Sequence, residues 1–509
     1  MKHRNESTAA PRRTRRAFLG EGAAAAAAFS ILPRNALGRL GGAGPVGPND
    51  KITLACIGVG AQGTRVMMDF LKMPDVQVTA VCDVNRETRD YSEWGKGELV
   101  GKERALLNDP SWGSDWKGPA CGREPARRLV EAYYSKVRNA PGYKGCAAYN
   151  DFRELLSKEK ELDAVAVCTP DHWHAHISLD AMRRGKHVFC QKPMTHTLEE
   201  VRLMAQVARQ TKVATQVAVM NEASKATRLL TEWIGAGLIG QVREVHNWSQ
   251  RPYWPQGIER PQEPDPVPEG LDWDLWLGPA PWRPYHHVYL PFVWRGWFDF
   301  GVGALGDMGN YSFDTLFRVL KLTAPTSVEA SSTPRFRETY PVGALAHWEF
   351  PARQDRAPVT VHWYDGDLRP PRPPELAPGE RMSNEDGEGL LLVGDHGKIL
   401  CGFEGQNPRL IPSARMASFQ PPPDDLPPSP GAYQEWLNAI RGGPLPRANF
   451  EFEQKVVEAV LLGSIAVRTG SKLEWDGQRI TRLAEGSADD LASANAQINP
   501  PRRSPWELA

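Results

Sequence analysis

The sequence predicts an α/β domain built on a doubly wound parallel sheet, followed by an α+β domain with an open, mostly antiparallel sheet. Three features predict it. Between residues 52 and 219, apolar strand-like runs alternate with helical patterns, the rhythm of strand–helix–strand crossovers. A glycine turn, Gly58–Gly63, stands directly between the first strand and the first helix. Beyond about Asn221 the rhythm changes to several alternating strands with few helices, the mark of an antiparallel sheet with helices on one side.

In chain order, Ile52–Ile57 reads as a buried strand, Thr64–Met73 as a helix and Val76–Cys82 as a second strand. An irregular stretch from about Tyr91 to Tyr143 follows, carrying Trp94, Trp112 and Trp116 and a helix near Glu124–Val137. Then come helix Phe152–Ser157, strand Ala164–Cys168, helix Ala175–Arg184 stopped by Gly185, and strand His187–Cys190. Helix Leu198–Gln210 opens with Thr197 and Glu200 at capping-box spacing, and strand Val213–Val219 closes the unit. The second domain begins with helix Ala226–Ala236 and strand Val242–Gln250, then a Pro- and Trp-rich loop from Arg251 to Arg295. Helix Leu305–Leu320 precedes strands Ser327–Ser332, Ala344–Phe350, Val359–Tyr364, Leu390–Val393 and Lys398–Cys401. Helices Tyr433–Arg441 and Phe452–Thr469 end it, which sets the domains at 51–221 and 222–480 and leaves 481–509 as a C-terminal tail.

Composition narrows the function. The 509 residues are 41% hydrophobic and 24% charged with zero formal net charge, so nothing supplies the basic footprint of a nucleic-acid binder. The 17 Trp residues exceed ordinary usage; indole faces stack on sugars as well as fill cores. Residues 1–40 read as a targeting segment rather than fold. Thr14-Arg15-Arg16-Ala17-Phe18-Leu19-Gly20 is a twin-arginine pattern, followed by an Ala-rich run to Leu32 that Glu21 interrupts. That run is shorter than the ~18 apolar residues of a spanning helix, so the expectation is export of the folded chain to the periplasm with no stable membrane span. Residues 41–50 are Gly/Pro-rich and read as a linker. The seven Cys fit no metal spacing and no disulfide framework. Cys56, Cys82, Cys168 and Cys190 fall in apolar runs as small buried hydrophobes, and only Cys121 and Cys146 are placed where an oxidising compartment offers a pair.

The glycine turn carries the first chemistry. Gly58-Val59-Gly60-Ala61-Gln62-Gly63 is G-x-G-x-x-G after a strand and opening a helix, the context in which such a turn binds a dinucleotide. The first glycine permits the turn, the second admits the pyrophosphate, the third packs helix on strand, and the helix N-terminus faces the phosphates. Asp83 ends the next strand twenty residues past Gly63, the spacing for a carboxylate on the ribose hydroxyls. It favours NAD, with Arg86 and Arg89 near enough to serve NADP. An exported enzyme of this kind must hold its cofactor tightly. Two further segments follow strands of the same sheet, Thr169-Pro170-Asp171-His172-Trp173-His174 and Gln191-Lys192-Pro193. Ligands bind outside strand carboxyl ends in such sheets, which places both against the nicotinamide. His172, His174 and His176 look like a metal cluster, but they diverge at a helix start and no metal is expected.

These motifs, with Gly306-Asp307-Met308-Gly309-Asn310-Tyr311, resemble the glucose–fructose oxidoreductase / inositol dehydrogenase / MocA (Gfo/Idh/MocA) family from about residue 50 onward. Trp294–Phe300 followed by Gly303–Gly309 resembles its exported bacterial branch. The resemblance implies an N-terminal Rossmann domain and a substrate- and oligomer-forming second domain, with a homo-oligomer joined through the second sheet. It implies cofactor contacts from Gly58, Gly60, Ala61, Gln62, Gly63, Asp83, Thr169, Pro170, His174, Gln191 and Lys192. It implies a carbohydrate held by His172, Arg295, Trp297, Asp307 and Tyr311, with Lys192, Asp307 and Tyr311 catalytic. Asp307 and Tyr311 are four apart and share a helix face; Tyr311 stands where many relatives have His. A Lys ammonium beside it is expected to lower its pKa toward the range of a general acid/base. Two departures stand out: Gln191 where the family usually has Glu, and Val219, Met220 and Glu222 where this branch often has Asn, Gln and His. The readings that follow are an NAD(P)-dependent oxidoreductase acting on a sugar, polyol or glycoside, an NAD-dependent glycosidase working by transient oxidation and elimination, and a catalytically silent dinucleotide-binding protein.

Overall fold

The computed structural model describes residues 51–508 apart from Trp94, 221–223, 384–386, Ser418 and 420–427. The expected signal segment, the linker and Glu222 lie outside the described residues.

Six strands form the first sheet: β1 (Ile52–Ile57), β2 (Val76–Cys82), β3 (Ala147–Tyr149), β4 (Ala164–Val167), β5 (His187–Cys190) and β6 (Thr215–Val217). All pair in parallel, in the order β3-β2-β1-β4-β5-β6. The strand order reverses between β1 and β4, so the crevice beyond their carboxyl ends is the topological switch point. Helices α1 (Ala61–Lys72), α2 (Glu98–Leu107), α3 (Arg123–Lys136), α4 (Phe152–Lys158), α5 (Asp171–Arg183) and α6 (Leu198–Thr211) provide the crossovers. The near-continuous apolar runs are explained by burial on both faces. Leu54 and Cys56 of β1 pack with Met67, Phe70 and Leu129, while Ala55 and Ile57 pack with Leu155, Ile177 and Val201. The capping box on α6 is present: Thr197 Oγ1 accepts from the Glu200 amide, and Glu200 accepts from the Thr197 amide.

The second sheet has nine strands: β7 (Val242–Trp248), β8 (Ser327–Ser332), β9 (Ala344–Phe350), β10 (Val359–Tyr364), β11 (Gly389–Gly394), β12 (Gly397–Cys401), β13 (Arg409–Ile411), β14 (Leu473–Trp475) and β15 (Ile480–Leu483). Their order is β13-β12-β11-β7-β10-β9-β8-β14-β15, antiparallel except for the β7–β10 pair. The expected fold class is therefore the observed one. Helices α7 (Lys225–Gly235), α8 (Trp273–Leu277), α9 (Gly303–Leu320), α10 (Ala414–Ala417), α11 (Ala432–Ile440), α12 (Phe450–Thr469) and α13 (Ala488–Ala496) complete the chain. α9 and α12 pack on each other and on the sheet, where Trp348 of β9 meets Phe313 edge-on at 4.9 Å and donates to the Ala459 carbonyl at 2.8 Å. Among the described residues no helix is long and apolar enough to cross a membrane.

Three elements depart from the expectation. α2 was hidden in the irregular stretch because its inward face includes Glu103, which burial tolerates because its carboxylate accepts from Trp112 Nε1 at 2.8 Å. The last helices do not belong to the second sheet alone. Trp436 of α11 sits on the first sheet between Phe70 and Phe189, and the Ala448 carbonyl accepts from the Val217 amide at 2.8 Å, pairing the edge strand β6. The C-terminal tail is structured over residues 481–508. They finish β15, form α13, and fold back so that Trp506 packs edge-on against Trp173 at 4.8 Å while its carbonyl meets His176 Nε2 at 2.8 Å. All seven thiols are free, with Cys121 and Cys146 both buried and unpaired.

Candidate active site

The carboxyl ends of β1, β2, β4 and β5 open on a cavity of about 1160 Å³. The glycine turn, Asp83, Thr169–Asp171, Gln191 and Lys192 line it from the first domain, and Arg251, Trp254, Phe292–Arg295, Asp307, Tyr311, Glu388 and Glu404 from the second.

The turn is built for close approach. Gly58 has φ +81°, and a methyl there would stand 2.6 Å from the backbone of Cys168 and Thr169 at the end of β4. No side chain caps α1, whose N-cap is Gly60, so the amides of Ala61–Gly63 are left for an anion. Asp83 Oδ2 accepts from the Val59 amide and Oδ1 from the Asn85 amide, both at 2.8 Å. Burial lifts its carboxyl to about 6, and these two amides and Arg123 limit the rise. Thr169 Oγ1 is buried at the cavity edge with no hydrogen-bond partner among the described residues, a group that awaits a ligand. A cradle closed to any side chain, helix amides free of caps, a carboxylate at the end of β2 and an orphan hydroxyl together fit a dinucleotide. Arg86 and Arg89 do not line the cavity, and Arg89 pairs with Glu87 at 2.9 Å.

Lys192, Asp307 and Tyr311 meet where the two domains face each other. Lys192 Nζ is 3.0 Å from Asp307 Oδ1, donates to the Asp307 carbonyl at 2.8 Å and lies 4.6 Å from the centre of the Tyr311 ring, with a hydrogen bond to its hydroxyl. Arg295 Nε donates to the same Asp307 oxygen at 3.2 Å, its guanidinium stacked 4.3 Å from Trp294 and 4.5 Å from Phe292. Although burial favours the neutral acid, the Lys192 and Arg295 charges hold Asp307 below the usual carboxylate range. Although burial favours the neutral amine, Asp307 and Tyr311 lift Lys192 above its ordinary value. The expected lowering of Tyr311 does not occur. Burial raises its pKa, and Lys192 only partly offsets this while Asp307 and Glu404 add to it. The ammonium is already engaged by Asp307, so Tyr311 is a neutral hydroxyl around pH 7.

Three expected contacts lie behind the wall instead of on it. His172 is buried with Nε2 3.0 Å from the Trp276 carbonyl and Nδ1 3.3 Å from that of Phe300, and burial lowers its pKa to about 3. His174 bridges the Pro193 carbonyl at 2.7 Å and the Thr169 carbonyl at 2.9 Å, holding the two cavity loops together without facing the cavity. α5 begins at Asp171, earlier than the predicted Ala175, which turns both rings inward. Trp297 is fully buried, donating to the Val288 carbonyl at 2.9 Å; Trp254 and Trp294 line the cavity in its place. Gln191 does line it, and its side chain accepts from the Lys192 amide at 3.1 Å.

Carboxyls to which the sequence assigned no role also line the cavity, Asp171 and Glu404 among them. Asp171 is buried with Oδ2 unpartnered among the described residues, and burial together with nearby Asp307 raises its pKa well above normal. Glu404, on the turn after β12, is lifted to about 7 by burial against the pull of Lys192.

Comparison with known proteins bears on this site. Residues 124–219 match the NAD-binding Rossmann-fold model of the Gfo/Idh/MocA oxidoreductases, and residues 225–348 match that family's C-terminal alpha/beta domain. A levoglucosan dehydrogenase of Pseudarthrobacter phenanthrenivorans is 29% identical over 166 residues, 31% of this chain and 42% of that protein. A glycosyl hydrolase family 109 protein of Saccharopolyspora erythraea is 28% identical over 195 residues, 38% of this chain and 34% of that protein. The chain thus matches less than half the length of either relative. Among solved structures, the WlbA dehydrogenase from Bordetella pertussis, in complex with NADH and UDP-GlcNAcA, superimposes with a TM-score of 0.51 at 16% identity, over 84% of this chain and 99% of that one. This last likeness speaks to fold alone.

Proposed function

We propose that this chain, whose two domains are those of the Gfo/Idh/MocA oxidoreductases, is an NAD-dependent oxidoreductase acting on a hydroxyl of a sugar, polyol or glycoside. The observation that carries the reading is the Lys192–Asp307–Tyr311 cluster at the mouth of the dinucleotide cradle. Bound NAD supplies the hydride acceptor. Tyr311 is the acid/base at the reacting oxygen: as a neutral hydroxyl it donates its proton to an alkoxide in the reducing direction, and it must first lose that proton to act in oxidation. Lys192 orients it and stabilises the tyrosinate. Asp307, pinned between Lys192 and Arg295, accepts from an adjacent substrate hydroxyl. The indole and phenyl walls of Trp254, Trp294 and Phe292 suit the apolar faces of a pyranose, and resemblance to a levoglucosan dehydrogenase supports the same class. A panel of sugars and glycosides screened for reduction of NAD tests the reading; no reduction with any member, on protein that binds NAD, contradicts it.

Cofactor choice is the first expected outcome. Asp83→Ala weakens NAD by roughly 1.5–3 kcal/mol, the loss of a hydrogen bond to a charged acceptor, and weakens NADP less. Because the Asp83 carboxyl sits at about 6, it is ionised above that value and protonated below it. NAD affinity is therefore full above pH about 6 and falls as pH drops through it. Calorimetric titration on either side of that value checks both statements, and equal losses for the two dinucleotides argue against the role.

One observation favours a second reading, a redox-neutral NAD-dependent glycosidase. Elimination next to a transient ketone needs a further proton-transfer group, and Glu404 lines the cavity as a carboxyl poised at about 7. Resemblance to a glycosyl hydrolase family 109 protein points the same way. Release of nitrophenol from a nitrophenyl glycoside without accumulating NADH selects this reading; stoichiometric NADH selects simple oxidation.

Export by the twin-arginine route completes the proposal, on the strength of Arg15 and Arg16 ahead of the Ala-rich run. Replacing both by Lys is expected to leave the protein in the cytoplasm. An unchanged periplasmic yield on cell fractionation contradicts it.

A further inference from the structure

The connection from β2 to β3, residues 83–146, contains two helices, and its first loop, between the end of β2 at Cys82 and the start of α2 at Glu98, is far longer than the two-to-six-residue loops that usually join strand and helix. The connection is tied to the cofactor cradle at several points. The Gly122 amide donates to the Val59 carbonyl of the glycine turn at 3.1 Å, and Arg123 Nη1 donates to the Asp83 carbonyl at 3.0 Å. Arg65 of α1 pairs with Glu98 of α2 at 2.6 Å. The Glu93 carboxylate accepts from the Gly97 and Leu99 amides, both at 2.9 Å, which fixes the start of α2. A bridge between Thr88 and Cys121 joins the first loop to the residues before α3. Asn85, Tyr91, Ser92 and Glu93 of the first loop line the cavity.

Tyr91 stands on this strip. Its ring covers the second glycine of the turn: a methyl on Gly60 would lie 2.5 Å from the Tyr91 hydroxyl and 2.6 Å from its Cζ. Tyr91 lines the cavity, and its hydroxyl makes no hydrogen bond to any described residue. Gly60 is the place where a dinucleotide's pyrophosphate approaches the backbone.

We propose that Tyr91 is a cofactor-binding residue whose hydroxyl donates a hydrogen bond to a pyrophosphate oxygen at Gly60 and so slows the release of NAD. This rests on the NAD reading above. Burial, and the Asp83 charge after it, push the Tyr91 pKa well up, so the hydroxyl keeps its proton as a phosphate contact requires.

The test is isotope exchange. Full-length protein loaded with NAD is freed of unbound ligand by gel filtration and mixed with excess deuterated NAD. Mass spectrometry of the dinucleotide released by denaturation then follows exchange over time. Exchange about tenfold or more faster in Tyr91→Phe than in the wild type is expected, the effect of losing one hydrogen bond to a charged oxygen. Tyr91→Ala, which also uncovers Gly60, is expected to exchange faster still. Tyr91→Phe keeps the ring, so it remains decisive if Tyr91→Ala does not fold. Exchange in Tyr91→Phe at the wild-type rate overturns the hydroxyl contact. A wild-type protein that binds no NAD contradicts the cofactor reading itself, and the two failures are distinguished by the loading step.

Discussion

Tyr311→Phe is expected to lower turnover about 10²–10⁴-fold, the usual contribution of general acid–base catalysis, while NAD remains bound. The ring still fills its place beside Lys192 and only the proton-carrying oxygen is lost. Lys192→Met is expected to fall by a similar factor, and the double variant to be little worse than either single one, because the two groups act as one unit. The pH profile separates this from mere loss of packing. Tyr311 is raised by burial, against the pull of Lys192. Oxidation, which needs the tyrosinate, therefore climbs with pH through the neutral range. Removing Lys192 takes away the charge that holds the value down, so the climb shifts to higher pH in Lys192→Met. Single-turnover reduction of bound NAD across pH measures both effects. Near-normal turnover in Tyr311→Phe with an unmoved profile assigns the proton to another group.

The second large effect is structural. Gly58→Ala puts a non-glycine residue at φ +81° and its methyl 2.6 Å from the Cys168 and Thr169 backbone. Those atoms belong to the end of β4, which is paired with β1 through Ile57 and Val167, so they cannot yield without breaking the sheet. Left-handed strain of about 1–2 kcal/mol and overpacking of about 1–3 kcal/mol give a loss of roughly 2–5 kcal/mol, together with failure to bind NAD as the turn moves. Gly97→Ala is the control. Its φ is +71°, but nothing lies within 4 Å of the added methyl, so only strain remains. Denaturant midpoints of the two variants and an NAD titration of each check the difference; equal midpoints contradict the packing argument.

What was legible in the sequence follows from where the chemistry was encoded. Gly58–Gly63 and Asp83 are local: a turn and a strand end, read by spacing alone. Lys192, Asp307 and Tyr311 were legible through family motifs, and the fold brings them within hydrogen-bond reach. His172 and His174 misled because polar residues after a buried strand look like ligands. The early start of α5 turned them inward to satisfy carbonyls. The direction of the Tyr311 pKa was not legible because it depends on burial, which no spacing reports. Tyr91 and Glu404 arrive at the cavity from a long connection and a hairpin turn. Only topology joins them. The same holds for α11 and the C-terminal segment, whose apolar residues are ordinary in sequence and take meaning from the sheet they cover.

The most direct test of the account is to denature freshly purified protein, with no dinucleotide added, and to identify what is released by mass spectrometry. The account predicts NAD or NADH in amounts close to stoichiometric with the chain. Release of no dinucleotide, together with no binding of NAD when it is titrated into the native protein, contradicts it.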